Sequence, residues 1–249
     1  MDVERFRGTA AELHAMELPG DGRRHVWLLE STDTALVLGS TQAEDAVDEA
    51  AATAAGVDIV RRRSGGGAVW VGPGDPIWVD VILPRRDPLW TDDVGRAFLP
   101  IGRAWSAALD EVGIVDTAVH DGPMVGTEWS DLVCFSGTGP GEVLRDGRKI
   151  VGISQRRTRD GARFQCAIPR HWDPEPLRAV LRDPPPAAAI AAVGSGVGDL
   201  ASADLVDAFD LPLADRIVRF PRRAQAIALT ASLPVAIGSL GASTTASSV

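Results

Sequence analysis

The sequence predicts an α+β fold, and three stretches predict it most directly. In "EVLRDGRKIVGISQRRT" the pair Asp146-Gly147 sits between two strand-like runs, the strongest short hairpin signal in the chain. "PIWVDVILP", Pro76 to Pro84, is nearly continuous in apolar content, as a strand covered on both faces should be. Asp92 to Val112 places Val94, Phe98, Ile101, Trp105, Ala108 and Val112 at helical spacing, with Asp92 as its cap and Gly113 as its stop.

The other elements follow in order. "HVWLLESTDTALVLG", residues 25–39, reads as two paired strands broken at Ser31 to Thr34. From Thr41 the period changes: Ala43, Ala46, Val47, Ala50, Ala51 and Ala54 form a helical stripe that Gly56 ends. "VDIVRRR" is a strand that runs into Ser64 and three consecutive glycines. Alternation along the second hairpin strand puts Lys149, Val151 and Ile153 on one face and Ile150, Gly152 and Ser154 on the other. "ARFQCAIP" is a further strand. Beyond Pro169 the chain is rich in Ala, Pro and Gly, with short helices expected at Pro174 to Leu181 and Ala201 to Phe209. The expected organisation is a catalytic domain over residues 1–170, a helical extension of it over 171–240, and a disordered tail over 241–249, "GASTTASSV".

A net charge of −9 argues against a general nucleic-acid binder. No apolar run approaches the roughly 18 residues that suggest a membrane span, and "MDVERFRGTAAELHAMEL" lacks an apolar signal core, so a soluble cytoplasmic chain is expected. The two cysteines, Cys134 and Cys166, suggest neither a disulfide nor a zinc site. Positive charge is clustered at Arg61 to Arg63 and from Arg145 to Arg159, and it includes the lone lysine, Lys149.

Three glycines in a row lose much backbone freedom on folding, so "RRRSGGGAV" should gain something in return. Backbone N–H groups there can converge on an anion, with flanking arginines adding charge. The segment matches neither a Walker A loop nor the dinucleotide GxGxxG pattern, and a mobile surface loop is the plain alternative. Lys149, sharing its face with apolar residues, either snorkels outward or is held by an anionic ligand.

These segments together resemble the lipoate-protein ligase A family, within the group of biotin and lipoate ligases and octanoyltransferases. The resemblance rests on Arg61 to Val69, on Gly147 to Gln155 ("GRKIVGISQ") and on "ALVLGSTQ", Ala35 to Gln42, and spans about residues 25–170. It implies a class II aminoacyl-tRNA synthetase-like catalytic domain, a mostly antiparallel mixed sheet flanked by helices. It also implies activation of lipoic or octanoic acid by ATP to an acyl adenylate, then transfer to a lysine of a lipoyl-domain acceptor. That acceptor would be a 2-oxoacid dehydrogenase E2 or a glycine cleavage H protein. Lys149 would be the catalytic charge; Arg62, Ser64, Gly65, Gly66, Gly67, Ala68, Val69, Gly152 and Ser154 would bind substrate and nucleotide, with Trp70 and Val151 also lining the acyl slot. Mg²⁺ would arrive on the ATP phosphates, since the sequence names no metal ligand.

The chain departs from the family pattern after "GGGAV". Many ligases continue with an aromatic and "HDxGN", whereas "WVGPGDP" stands here, leaving Asp75 as a metal or ribose ligand or a plain turn carboxylate. The chain after residue 170 is too short for the separate accessory domain that some lipoate ligases carry. "CFSGTGPGEV" opens the alternative. Some octanoyltransferases of the group carry a cysteine nucleophile in a "CF" dipeptide before the lysine hairpin, take octanoyl from acyl carrier protein and need no ATP. Cys134-Phe135 occupies a comparable place, and a thiolate near Lys149 would be activated by its charge. Cys166 is expected to line the pocket. A non-catalytic relative that only holds an acyl group or nucleotide is the third reading.

Overall fold

A computed structural model describes residues 3–210. Its centre is a seven-stranded sheet in the order β1-β2-β6-β10-β9-β8-β7. The strands are β1 (Val3–Gly8), β2 (His25–Ser31), β6 (Ile77–Pro84), β7 (Thr117–Val119), β8 (Val143–Arg145), β9 (Arg148–Arg157) and β10 (Gly161–Ile168). Only β1 and β2 run parallel; the other pairs are antiparallel, so the sheet is mixed and mostly antiparallel, as expected. A second sheet of three strands has the order β4-β3-β5, from β3 (Ala35–Leu38), β4 (Asp58–Arg61) and β5 (Val69–Val71).

The predicted buried strand is β6, central in the large sheet, with Ile77 to Leu83 buried on both faces. One face packs on α3 (Phe98–Glu111), whose Ile101, Trp105, Ala108 and Leu109 are fully buried. This helix begins six residues later than the pattern suggested. Pro100 has no N–H to give an intrahelical bond and so belongs in the first turn, which forbids a start at Asp92. Val94 is consequently exposed rather than part of the stripe. Gly113 ends the helix as expected, with φ of 88°.

The hairpin forms where Asp146-Gly147 predicts it, both residues taking positive φ, 51° and 73°. The reading of residues 25–39 as a strand pair is corrected: β2 joins the large sheet and β3 the small one. Alternation alone cannot say which neighbour a strand takes. The expected helix from Thr41 is shorter, a single 3-10 turn at Glu44–Ala46 and α2 (Glu49–Ala54), because the Asp48 side chain caps it at Ala51 N. Val47 and Ala52 are buried there, while Ala43, Ala50 and Ala54 are exposed.

The N-terminal α1 (Ala10–Ala15) was not anticipated. Its signal is plain in retrospect: Thr9 and Glu12 form a reciprocal capping box, the Thr/x/x/Glu spacing of a helix start. After residue 170 the expected helices appear as α4 (Glu175–Ala179) and α6 (Ser202–Ala208), with α5 (Ala187–Ala191) between them. Residues 211–240 of the proposed extension and the proposed tail 241–249 lie outside the described residues. Among the described residues no helix is long and apolar enough to cross a membrane.

Candidate active site

An open pocket lies between the large and small sheets. Val37 of β3, Val69 and Val71 of β5, Trp78 of β6 and Ile153 of β9 give it apolar walls. A few polar groups reach the same space: His14, Arg62, Cys134, Ser154 and Gln165.

The glycine-rich loop joins two pocket residues, Arg62 and Val69, while Ser64, Gly65, Gly66, Gly67 and Ala68 between them are not among the lining residues, and its glycines have separate reasons. Gly66 has φ of 98°, a region side chains avoid. At Gly67 a Cβ would lie 2.7 Å from both Cys134 N and Val133 C, and at Gly39 a Cβ would lie 1.9 Å from Gly66 O. The close approach is therefore chain against chain. Ala68 N donates to Leu132 O and Cys134 N donates to Ala68 O, wedging the loop against the cysteine segment. Gly65 alone of the three has open space beside it.

Arg62 is buried, and its guanidinium donates to the carbonyls of Val37, Gly65 and Gly67 at 2.8–3.1 Å. The residue expected to bind substrate and nucleotide thus makes its hydrogen bonds within the protein. Loop carbonyls turned inward need donors, and Arg62 supplies them. Its Nε–H is buried with no hydrogen-bond partner among the described residues. Burial lowers the Arg62 pKa, and the neighbouring Cys134 pulls in the opposite direction; Arg62 Nη2 and Cys134 Sγ both border the place a Gly66 Cβ would occupy, at 3.0 and 3.8 Å. Cys134 is partly exposed and lines the pocket beside Gly66.

Ser64 binds protein. Its hydroxyl donates to Gln165 Oε1 at 2.8 Å and lies 2.9 Å from Ser154 Oγ. The chain continues through Gln165 Nε2, 3.0 Å from His14 Nδ1. An amide nitrogen only donates, so Nδ1 accepts and the His14 proton sits on Nε2. Burial first, then Arg163 and Arg62, bring the His14 pKa down from 6.5 to about 3, so the ring is neutral at physiological pH. His14 was missed because α1 was missed.

Lys149 is 2% exposed and does not line the pocket. Its Nζ donates to Glu142 Oε2 at 2.7 Å and to the Cys134 carbonyl at 2.8 Å, and lies 5.3 Å from the Phe135 ring centre. The two outcomes expected for it, snorkelling or an anionic ligand, give way to a third, an internal carboxylate. The predicted alternation also fails at this point. Val143 pairs with Val151 but Leu144 pairs with Lys149, a bulge that re-aims the lysine, whose Cδ comes 3.6 Å from a Cβ built on Gly152. Gly152 leaves room for Phe135, which a Cβ would meet at 3.2 Å. Glu142 carried no sequence signal beyond the presence of a lone lysine needing a counter-charge.

Other expected residues fall elsewhere. The Asp75 carboxylate accepts from Arg170 N and His171 N, tying its turn to the strand end after β10, and is not among the pocket residues. Trp70 packs in the core beneath the small sheet, and Val151 lies in the main core; of the apolar lining expected from Val69, Trp70 and Val151, only Val69 reaches the pocket. Cys166 lines it as expected, with burial pushing its thiol well up. Among the described residues no group of three or more His, Cys, Asp or Glu could hold a metal ion. Any Mg²⁺ would need nucleotide phosphates for most of its ligands.

The segment after residue 170 closes over this arrangement. Trp172 stacks on Phe135 at 4.7 Å and 22°, and Lys149 exchanges backbone bonds with Val193 and Ser195.

The mostly antiparallel mixed sheet flanked by helices is a fold shared with solved lipoate ligases. Lipoate-protein ligase A bound with ATP superposes with a TM-score of 0.61 at 17% identity, over 83% of this chain and 81% of that one. A bipartite lipoate protein ligase of Thermoplasma acidophilum, solved with its E2 lipoyl domain, gives 0.60 at 18% identity over 84% and 81%. A T. acidophilum protein with bound lipoic acid gives 0.63 at 17% identity over 83% and 81%. Residues 10–208 match the lipoyl protein ligase A/B catalytic domain, and the chain belongs to that family. It is also 29% identical over 144 residues to the octanoyltransferase LipM of Moorella thermoacetica, a match covering 57% of this chain. The chain spans about half the length of that curated relative, 52%.

Proposed function

We propose that the chain is a cysteine-dependent acyltransferase, moving a medium-chain acyl group such as octanoyl from a carrier-protein thioester to a lysine of a lipoyl domain. The observation that carries this reading is the Cys134 thiol at the apolar pocket beside Arg62, while Lys149 is engaged by Glu142. The likeness to an octanoyltransferase supports it.

In the first step the Cys134 thiolate attacks the thioester carbonyl. The carbon–sulfur bond to the carrier breaks, and the carrier sulfur leaves with the proton that Cys134 gave up. In the second step the neutral ε-amine of the acceptor lysine attacks the acyl-Cys134 carbonyl. The bond to Sγ breaks, an amide forms, and the proton lost by the amine returns to the cysteine. Arg62 Nη2 and Cys134 Sγ border the same point, the place of a Gly66 Cβ, which sets the guanidinium beside the sulfur in both steps.

The ATP-dependent ligase reading has one observation in its favour, the open side of Gly65 on an arginine-flanked loop. It makes lipoic or octanoic acid, ATP and Mg²⁺ the substrates and moves the attack from sulfur to the α-phosphate. One experiment separates the two. Wild type and Cys134→Ala are supplied either with octanoyl carrier protein and a lipoyl domain, or with octanoate or lipoate, ATP and Mg²⁺. The acyltransferase reading expects an octanoyl adduct on Cys134 by mass spectrometry and at least about a 10³-fold loss of transfer in the variant. Acid-dependent pyrophosphate exchange that survives Cys134→Ala would overturn it in favour of the ligase.

A further inference from the structure

The segment Cys134 to Glu142 is a loop whose two ends are joined by one ammonium. Lys149 Nζ holds the Cys134 carbonyl at 2.8 Å and Glu142 Oε2 at 2.7 Å. Glu142 is itself buried and fixed, its Oε2 accepting from Gly139 N at 2.7 Å and its Oε1 from Ile153 N at 3.2 Å. Three donors around one carboxylate, two of them backbone groups, leave it a single orientation. On the other side, Cys134 N is held by Ala68 O. The cysteine is thus fixed at its N–H by the glycine loop and at its carbonyl by Lys149. A buried ammonium stays where its counter-charge is, so the carbonyl contact depends on Glu142.

We propose that Glu142 is a positioning residue of the transfer site, acting through Lys149 on the Cys134 carbonyl to set where the thiol stands. This rests on the cysteine-nucleophile reading above and adds to it a residue that touches neither substrate nor sulfur.

The test is a cycle of Glu142→Gln, Lys149→Met and the double variant, read by octanoyl transfer and by the pH profile of iodoacetamide alkylation. Cys166 is fully buried, so alkylation reports on Cys134. The charged and titratable groups around that thiol are Arg62 on the glycine-loop side, Lys149 with Glu142 behind its carbonyl, and the neutral His14 on the same pocket. Glu142→Gln should lower kcat by roughly 10²-fold with KM for the acyl donor little changed, the size expected for a small misplacement of a reacting group. It should shift the alkylation profile as Lys149→Met does, and the double variant should shift it no further. A wild-type profile in Glu142→Gln, or a full additional effect on the Lys149→Met background, would overturn the proposal. Where Glu142→Gln does not fold, Glu142→Asp carries the test: transfer and alkylation rates falling together support it, and wild-type values of both overturn it. Alkylation needs no turnover, so these outcomes stand apart from any failure of wild type to transfer octanoyl groups.

Discussion

Lys149 holds a full charge where only 2% of its surface meets solvent, and the fold tolerates it because Glu142 lies 2.7 Å away. Removing one member of such a pair strands the other. Lys149→Ala should therefore destabilise the protein by about 3–5 kcal/mol in urea unfolding, and replacing both partners, Lys149→Met with Glu142→Gln, should cost less than that single change. The sequence suggested a lysine that snorkels outward or meets an anionic ligand; a hydropathy pattern cannot reveal a carboxylate seven residues upstream turning back onto the same nitrogen. His14 gives a second prediction. Its folded pKa of about 3 lies below its ordinary 6.5, so the unfolded chain binds the extra proton between those values. The stability that comes from keeping the ring neutral is full above pH 6.5 and is lost as pH falls toward 3, on the order of a few kcal/mol. His14→Gln should flatten that part of the curve of unfolding midpoint against pH; an unchanged slope would mean the ring is protonated in the native state.

At the scale of elements, what could be read in the chain was what short-range chemistry dictates. Asp146-Gly147 fixed the hairpin because both residues accept positive φ, and the unbroken apolar run at Ile77 to Leu83 became the doubly covered centre of the sheet. What could not be read depends on contacts distant in sequence: the separation of β2 from β3 into two sheets, and the bulge that turns Lys149 to the Gly152 side. The glycine loop lies between these cases. Its conformational demand was visible, yet much of what the glycines admit is the backbone of Val133 and Cys134. Gly67→Ala should accordingly destabilise by about 1–3 kcal/mol and disturb Cys134 alkylation. Gly65→Ala, facing open space, should stay within about 0.5 kcal/mol of wild type. Equal effects of the two substitutions would return the loop to the role of a simple connector.

For the whole molecule, residues 171–210 are part of the core. Leu177, Val180, Leu181 and Ile190 complete the cluster under the small sheet, and Leu205, Val206 and Phe209 enter the main one. A chain cut after residue 170 should fail to show a cooperative urea transition, because it exposes both clusters and removes the stacking partner of Phe135. The family resemblance was legible because its motifs lie in contiguous stretches; the share of the site supplied by α1, Glu142 and Trp172 was not, since those residues meet it only in three dimensions. The composition of the chain carries one more consequence. The chain has 25 basic Lys and Arg residues, of which Lys149 is the lone side-chain amine, which matters for the proposed transfer of acyl groups to lysine. That amine is buried and ion-paired, and guanidinium groups do not accept acyl groups under such conditions. On the proposed activity the protein is thereby protected from forming amides on its own side chains: mass spectrometry after long incubation with excess octanoyl donor should find thioester on cysteine and no side-chain amide.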